Sequence, residues 1–275
     1  MGPSPLGPSC RARPRWWGTL LYVPVLYGGG WLLAQPLALL NTGLRPDQIN
    51  LVGAVLSLAL LVATLRWRLR TAWGTGQPWQ ALGVAAPPAL ALRSLVRGLL
   101  KALLLLGLVV VGLLACGQAT WSGRIDAAEV LNAIALVLGV GFAEELVFRG
   151  WLWGELRQMT GERQALLLQA VVFGLVHRWS VAPGLGAVGL LGGLILLGIV
   201  LALQRRADGG NLWGAVGLHG GLVGGWFALG AGLLTIQPTA PAWLAGPGGP
   251  APNPIGGLMG WLGLILLMGV RRRFW

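Results

Sequence analysis

Glu144, Glu145 and Arg149 sit in one apolar run, His177 in the next and His219 in a glycine-rich run further on, and any chemistry has to be sought there. Charged and titratable groups are expensive in hydrocarbon, so they face a cavity or one another. Glu145 and Arg149 lie four apart with the acid first, the spacing and order of a helical ion pair. Glu144 is turned about 100° from Glu145 by the helical period and has no partner on its own helix. That leaves it available as a general base toward water. The alternative pairs both glutamates with Arg149 near the lipid headgroups. Phe173 and His177 are four apart on one face, and His219 lies deep among glycines. A carboxylate and two imidazoles drawn from three different helices can activate water and stabilise an oxyanion.

Two histidines and a carboxylate are also a catalytic zinc ligand set. The local H-E-x-x-H arrangement is absent, however, so no cofactor is expected, with zinc as the alternative. Serine and cysteine chemistry fits less well. Ser122 and Ser180 fall at the ends of apolar runs, Cys116 has no histidine near it in sequence, and no G-x-S-x-G elbow occurs. With Cys10 and Cys116 far apart, neither a disulfide framework nor a cysteine metal cluster is expected.

The elements that must hold these residues follow from composition. The 275 residues are 55% hydrophobic and only 10% charged, with a mean hydropathy of +0.72, which is too little charge for a water-soluble surface. Eight apolar runs approach or reach the length of a membrane helix, at about 17–40, 48–65, 98–120, 128–152, 164–178, 183–204, 211–235 and 255–270. The expected fold is therefore all-α, a polytopic transmembrane helical bundle of about eight spans in contact with the lipid bilayer. A polar insertion from Arg66 to Arg97 reads as a surface segment with an interfacial helix. Three regions are expected: 1–127 with three spans and a basic cytoplasmic loop, 128–235 as the catalytic core, and 236–275 with an extracytoplasmic loop and the last span. The 46 glycines cluster in the last three spans, where small faces allow close helix packing.

Net charge is +12, from 20 basic and 8 acidic residues. In a soluble protein this would point to nucleic acid, but here the basic residues lie between apolar runs as topology signals, so no nucleic-acid partner is expected. Of the 20 basic residues, 17 fall on one side of an eight-span arrangement, and only Arg45, Arg124 and Arg178 fall on the other. This asymmetry makes the chain a multi-pass integral membrane protein with both termini cytoplasmic. Trp16, Trp17, Trp121 and Trp213 fit as interfacial anchors.

The order Glu144-Glu145-x-x-x-Arg149, then Phe173-x-x-x-His177, then His219 after a glycine-rich helix, resembles the intramembrane endopeptidases of the CAAX-processing and bacteriocin-self-immunity family. The similarity covers about residues 128–225, while the first three spans share only their hydrophobicity. The resemblance implies a peptide hydrolase in which Glu144 and His177 activate the attacking water, His219 supports the oxyanion, and Glu145 and Arg149 orient the site. The implied partner is a peptide or membrane-protein substrate, and a metal-free glutamate mechanism is favoured. One position departs from the family pattern. Val223 stands where an asparagine commonly follows the last histidine by four residues, and Asn211, roughly 12 Å away along the helix, cannot replace it. Losing one oxyanion donor typically costs about 100- to 1,000-fold, so the alternative function is a non-catalytic immunity or scaffold protein that keeps the protease fold. A proton-relay transporter is a third reading.

Overall fold

A computed structural model describes residues 13–40, 43–181, 184–249 and 251–274, with side chains to residue 269. Cys10 and Arg11 lie outside the described residues, and so do the side chains of Arg271 to Arg273. The chain forms two compact units, residues 1–81 and 82–275.

The first unit is built on two long helices, α1 (Trp16–Leu39) and α2 (Pro46–Trp73), followed by the single turn α3 (Pro78–Ala81). A Cβ added to Gly30 would lie 2.4 Å from the Ser57 backbone nitrogen, so the absent side chain lets the two backbones touch. Tyr22 and Thr64 share a hydrogen bond of 2.8 Å across the same contact. The α2 helix runs through Arg66, Arg68 and Arg70 rather than ending before them. Hydropathy stops where the charges begin, but the helix continues, because Leu65, Leu69 and Ala72 keep a buried stripe. The polar insertion is correspondingly shorter than its sequence suggests.

The second unit contains α4 (Pro88–Ala115), β1 (Ala119–Trp121), α5 (Ala127–Glu145), a π-helical segment Leu146–Leu152, α6 (Trp153–Thr160) and α7 (Glu162–Val176). It continues with α8 (Leu185–Ala207), α9 (Trp213–Ala228), a second π turn Leu229–Leu233, β2 (Leu234–Ile236), α10 (Ala242–Ala245) and α11 (Leu258–Phe274). The third apolar run, grouped by sequence with the N-terminal region, is α4 and packs here. Among the described residues six helical stretches are long and apolar enough to cross a membrane, while α7 has only 15 residues and the apolar part of α11 spans Leu258–Gly269. The fold is all-α and polytopic. On α4, Leu103 and Leu104 are exposed while Leu105 and Leu106 beside them are buried, as in a helix with one face to lipid and one to protein.

The centre of the unit is α9. Ideal Cβ atoms on Gly217 and Gly220 would lie 2.2 Å from the Leu95 carbonyl of α4 and 2.1 Å from the Val137 carbonyl of α5. The glycines thus allow α9 to wedge between two backbones, and close packing accounts for them. At one end Arg97 of α4 pairs with Asp208 after α8, joined by Gln204, which accepts from Lys101 at 2.8 Å and donates to Asp208 at 2.8 Å. At the other end β1 and β2 pair antiparallel, with Thr120 opposite Thr235. Trp213, half-buried at the start of α9, is held by two contacts. Its ring stacks on Phe142 at 5.7 Å and its Nε1–H donates to the Val84 carbonyl at 3.0 Å.

The glycine wedge has a measurable consequence. Gly220→Ala should lower the stability of detergent-purified protein by about 1–3 kcal/mol, because backbone rather than a pliable side chain opposes the new methyl. Gly139→Ala, on the same α5–α9 helix pair but with nothing within 4 Å of its Cβ, should be neutral. Equal thermal unfolding of the two variants would overturn the packing account.

Candidate active site

The site begins with a well-capped helix. Asp126 accepts from the Glu129 backbone N–H at 2.8 Å, and Glu129 accepts from that of Asp126 at 2.9 Å, which fixes where α5 starts. At its far end α5 delivers Glu144 and Glu145 and then widens into the π segment, where the Trp153 N–H reaches back five residues to the Phe148 carbonyl. The Arg149 carbonyl, inside this segment, accepts from Nη1 of Arg205, whose Nε–H also donates to the Gly210 carbonyl at 3.0 Å. A guanidinium on α8 thereby braces the wide turn.

Glu145 and Arg149 are both fully buried and paired, Nη1 to Oε1 at 3.0 Å. The same Oε1 accepts from Nδ1 of His219 at 2.8 Å. Glu145 therefore joins the arginine to the histidine of α9, a link invisible in sequence.

Glu144 lies on the neighbouring face. Its Oε2 is 3.1 Å from Nε2 of His177 and 3.8 Å from Nε2 of His219. His177 is the residue at which α7 stops, in extended conformation, and its Nδ1–H donates to the Phe173 carbonyl at 2.5 Å. With that hydrogen committed, the Glu144–His177 contact requires one further proton, held by either the carboxyl or the imidazole. Phe173 is the hub of the site: its ring centroid is 4.3 Å from that of His177 and 5.6 Å from that of His219, with the Arg149 guanidinium carbon 4.1 Å away over its face.

All five sequence candidates thus converge. Glu144, His177 and His219 line a cavity of about 390 Å³, with Leu194 and Leu197 of α8 and Leu222, Val223 and Trp226 of α9 among its walls. Residues 219, 222, 223 and 226 form one face of α9 at helical spacing, while Gly217 and Gly220 serve its packed sides. Residues 251–254, read from sequence as part of an exterior loop, and Ile255, read as the start of the last apolar run, also line this cavity. Asn211 does not enter it. Its Oδ1 accepts from the Trp213 N–H at 2.9 Å and caps α9. Among the described residues no group of three or more His, Cys, Asp or Glu side chains is arranged to hold a metal ion.

Arg205, the 251–255 segment and the π turn were missed by sequence reading. Arg205 had counted only as a topology charge. The signal that could have drawn attention to it is its place on the apolar α8 run next to Arg206, one arginine more than a helix end needs.

Residues 126–224 match the family model described as type II CAAX prenyl endopeptidase Rce1-like. Residues 4–77, nearly the whole first unit, match a domain of unknown function (DUF8676). No curated protein and no solved structure matches the chain. The segment from α5 through most of α9 thus matches an Rce1-like domain, which supports the resemblance to the CAAX-processing and bacteriocin-self-immunity family.

Proposed function

We propose that this integral membrane protein is an intramembrane endopeptidase that hydrolyses a peptide bond with water activated by Glu144 and His177. The observation that carries the reading is the placing of the Glu144 carboxylate between two histidines, at 3.1 and 3.8 Å, in a mainly apolar cavity. Glu144 acts when the shared proton sits on His177. The carboxylate then takes a proton from water as the water oxygen bonds to the scissile carbonyl carbon, and the carbonyl π pair moves onto oxygen. His219, with Nδ1–H committed to Glu145, offers Nε2–H to that oxyanion in its imidazolium form. When the oxyanion collapses, the C–N bond breaks and the proton held by Glu144 passes to the departing amine. One water is consumed and a carboxylic acid and an amine are released.

The test uses purified full-length protein in lipid nanodiscs and a quenched-fluorescent peptide library made with and without an S-farnesyl cysteine. Cleavage that persists in chelator supports the reading. Cleavage lost to chelator and restored by zinc would replace it with a metal-dependent one. Val223 in the cavity wall favours a rival, a scaffold that keeps the fold without cutting, and complete inertness of the wild type toward both libraries would establish that rival instead.

The proposed topology puts both termini in the cytoplasm. Reporter fusions after Arg45 and after Arg206 should therefore report opposite sides of the membrane. Agreement between them would mean that one of the intervening helices does not cross.

A further inference from the structure

The geometry points to Asn253 as a second donor to the oxyanion, acting from outside the helices that carry the other site residues. This rests on the peptide-hydrolase reading above. The cavity lining includes polar side-chain groups from Glu144, His177, His219, Trp226 and Asn253, and most of their donors are spent. Trp226 gives its Nε1–H to the Pro252 carbonyl at 2.9 Å. His177 is held between the Phe173 carbonyl and Glu144. What remains is Nε2 of His219 and the amide of Asn253.

The Asn253 amide is half committed. Its Oδ1 accepts from the Ile255 N–H at 3.1 Å and caps the short turn Pro254–Gly256. Its Nδ2 has no hydrogen-bond partner among the described residues. The residue is held from several directions: its own N–H donates to the Pro247 carbonyl at 2.8 Å, and its carbonyl accepts from Gly256 at 3.1 Å. The segment also seats tightly on α8, since a Cβ on Gly193 would lie only 2.0 Å from the Ile255 carbonyl oxygen. The amide donor is therefore preorganised, the condition under which a donor lowers a barrier rather than merely following the charge. Being neutral, it neither competes with Glu144 for the water proton nor requires a change of protonation, whereas His219 donates only as an imidazolium. Two donors of different kind, one on α9 and one on the segment after α10, thus line the same cavity.

The experiment measures steady-state cleavage of the quenched peptide that the wild type cuts fastest, using two variants. Asn253→Ser keeps a side-chain oxygen suited to capping but is too short to reach into the cavity. Asn253→Asp keeps shape and cap acceptor while removing the N–H donor. Both should lose about 100- to 1,000-fold in kcat with KM changed by less than about threefold, the pattern of an interaction made only in the transition state. Val223→Asn, which puts an amide on the α9 face of the same cavity, should recover about tenfold or more in the Asn253→Ser background. Unchanged kcat in both variants, or a rise in KM alone, would overturn the role of Asn253 while leaving the hydrolase reading intact. A wild type that cuts nothing would overturn both. Thermal unfolding of each variant separates loss of the donor from loss of the cap, and the aspartate variant decides the matter if the serine variant is unstable.

Discussion

Glu144→Gln should reduce kcat by about 100- to 10,000-fold, the usual contribution of a positioned general base, while leaving the melting of the purified protein close to wild type. The amide is the same size, and its oxygen can still meet a proton on His177, so the 3.1 Å contact has a neutral substitute. What the amide cannot do is take a proton from water. Glu145→Gln makes the useful contrast. Glu145 contacts Arg149 and His219, so its loss should lower stability and activity together. Cleavage at the wild-type rate in the Glu144→Gln protein would remove the proposed mechanism. Loss of activity with an equal loss of stability would recast Glu144 as a structural group.

Removing Arg149 should cost about 3–5 kcal/mol of stability, because it strands the fully buried Glu145 carboxylate with only His219 as partner. The guanidinium also covers the Phe173 ring at 4.1 Å, so the aromatic hub between the two histidines would lose its cover. Expression yield and thermal unfolding of Arg149→Ala are the measurements, and wild-type values would deny the pair its structural role. The double variant Glu145→Gln with Arg149→Met should be milder than Arg149→Ala, since no charge is left buried alone.

These expectations draw on residues that sequence could reveal. Glu144, Glu145, Arg149, His177 and His219 stood out because an apolar helix makes any ionisable group conspicuous, and four-residue spacing correctly joined Glu145 to Arg149. Sequence could not show that Glu145 would also bind His219, since that contact spans 74 residues and depends on α9 reaching α5 through its glycines. Nor could it show the π turn. The run Leu-Val-Phe-Arg-Gly-Trp-Leu reads as ordinary helix, and the widened register is tied to Arg205 on α8. For α2 the error had another origin: a hydropathy window ends at the first arginines, but backbone hydrogen bonding does not, so the helix continues to Trp73. The 251–254 segment, rich in proline and lacking charge, carried every mark of a loop and no mark of the cavity it would line.

The cavity wall has a consequence for how this chemistry can be moved between proteins. Residues 126–224 bring the acid and both imidazoles, but Leu106 from the preceding helix and 251–255 from the following segment supply part of the enclosure. A chimera that exchanged only residues 126–224 would carry Val140, Leu194, Leu197, Leu222 and Val223 along with Glu144, His177 and His219, but would leave the rest of the wall to the recipient. Its cavity would be walled partly by the donor and partly by the recipient, so neither parent's shape would be kept whole.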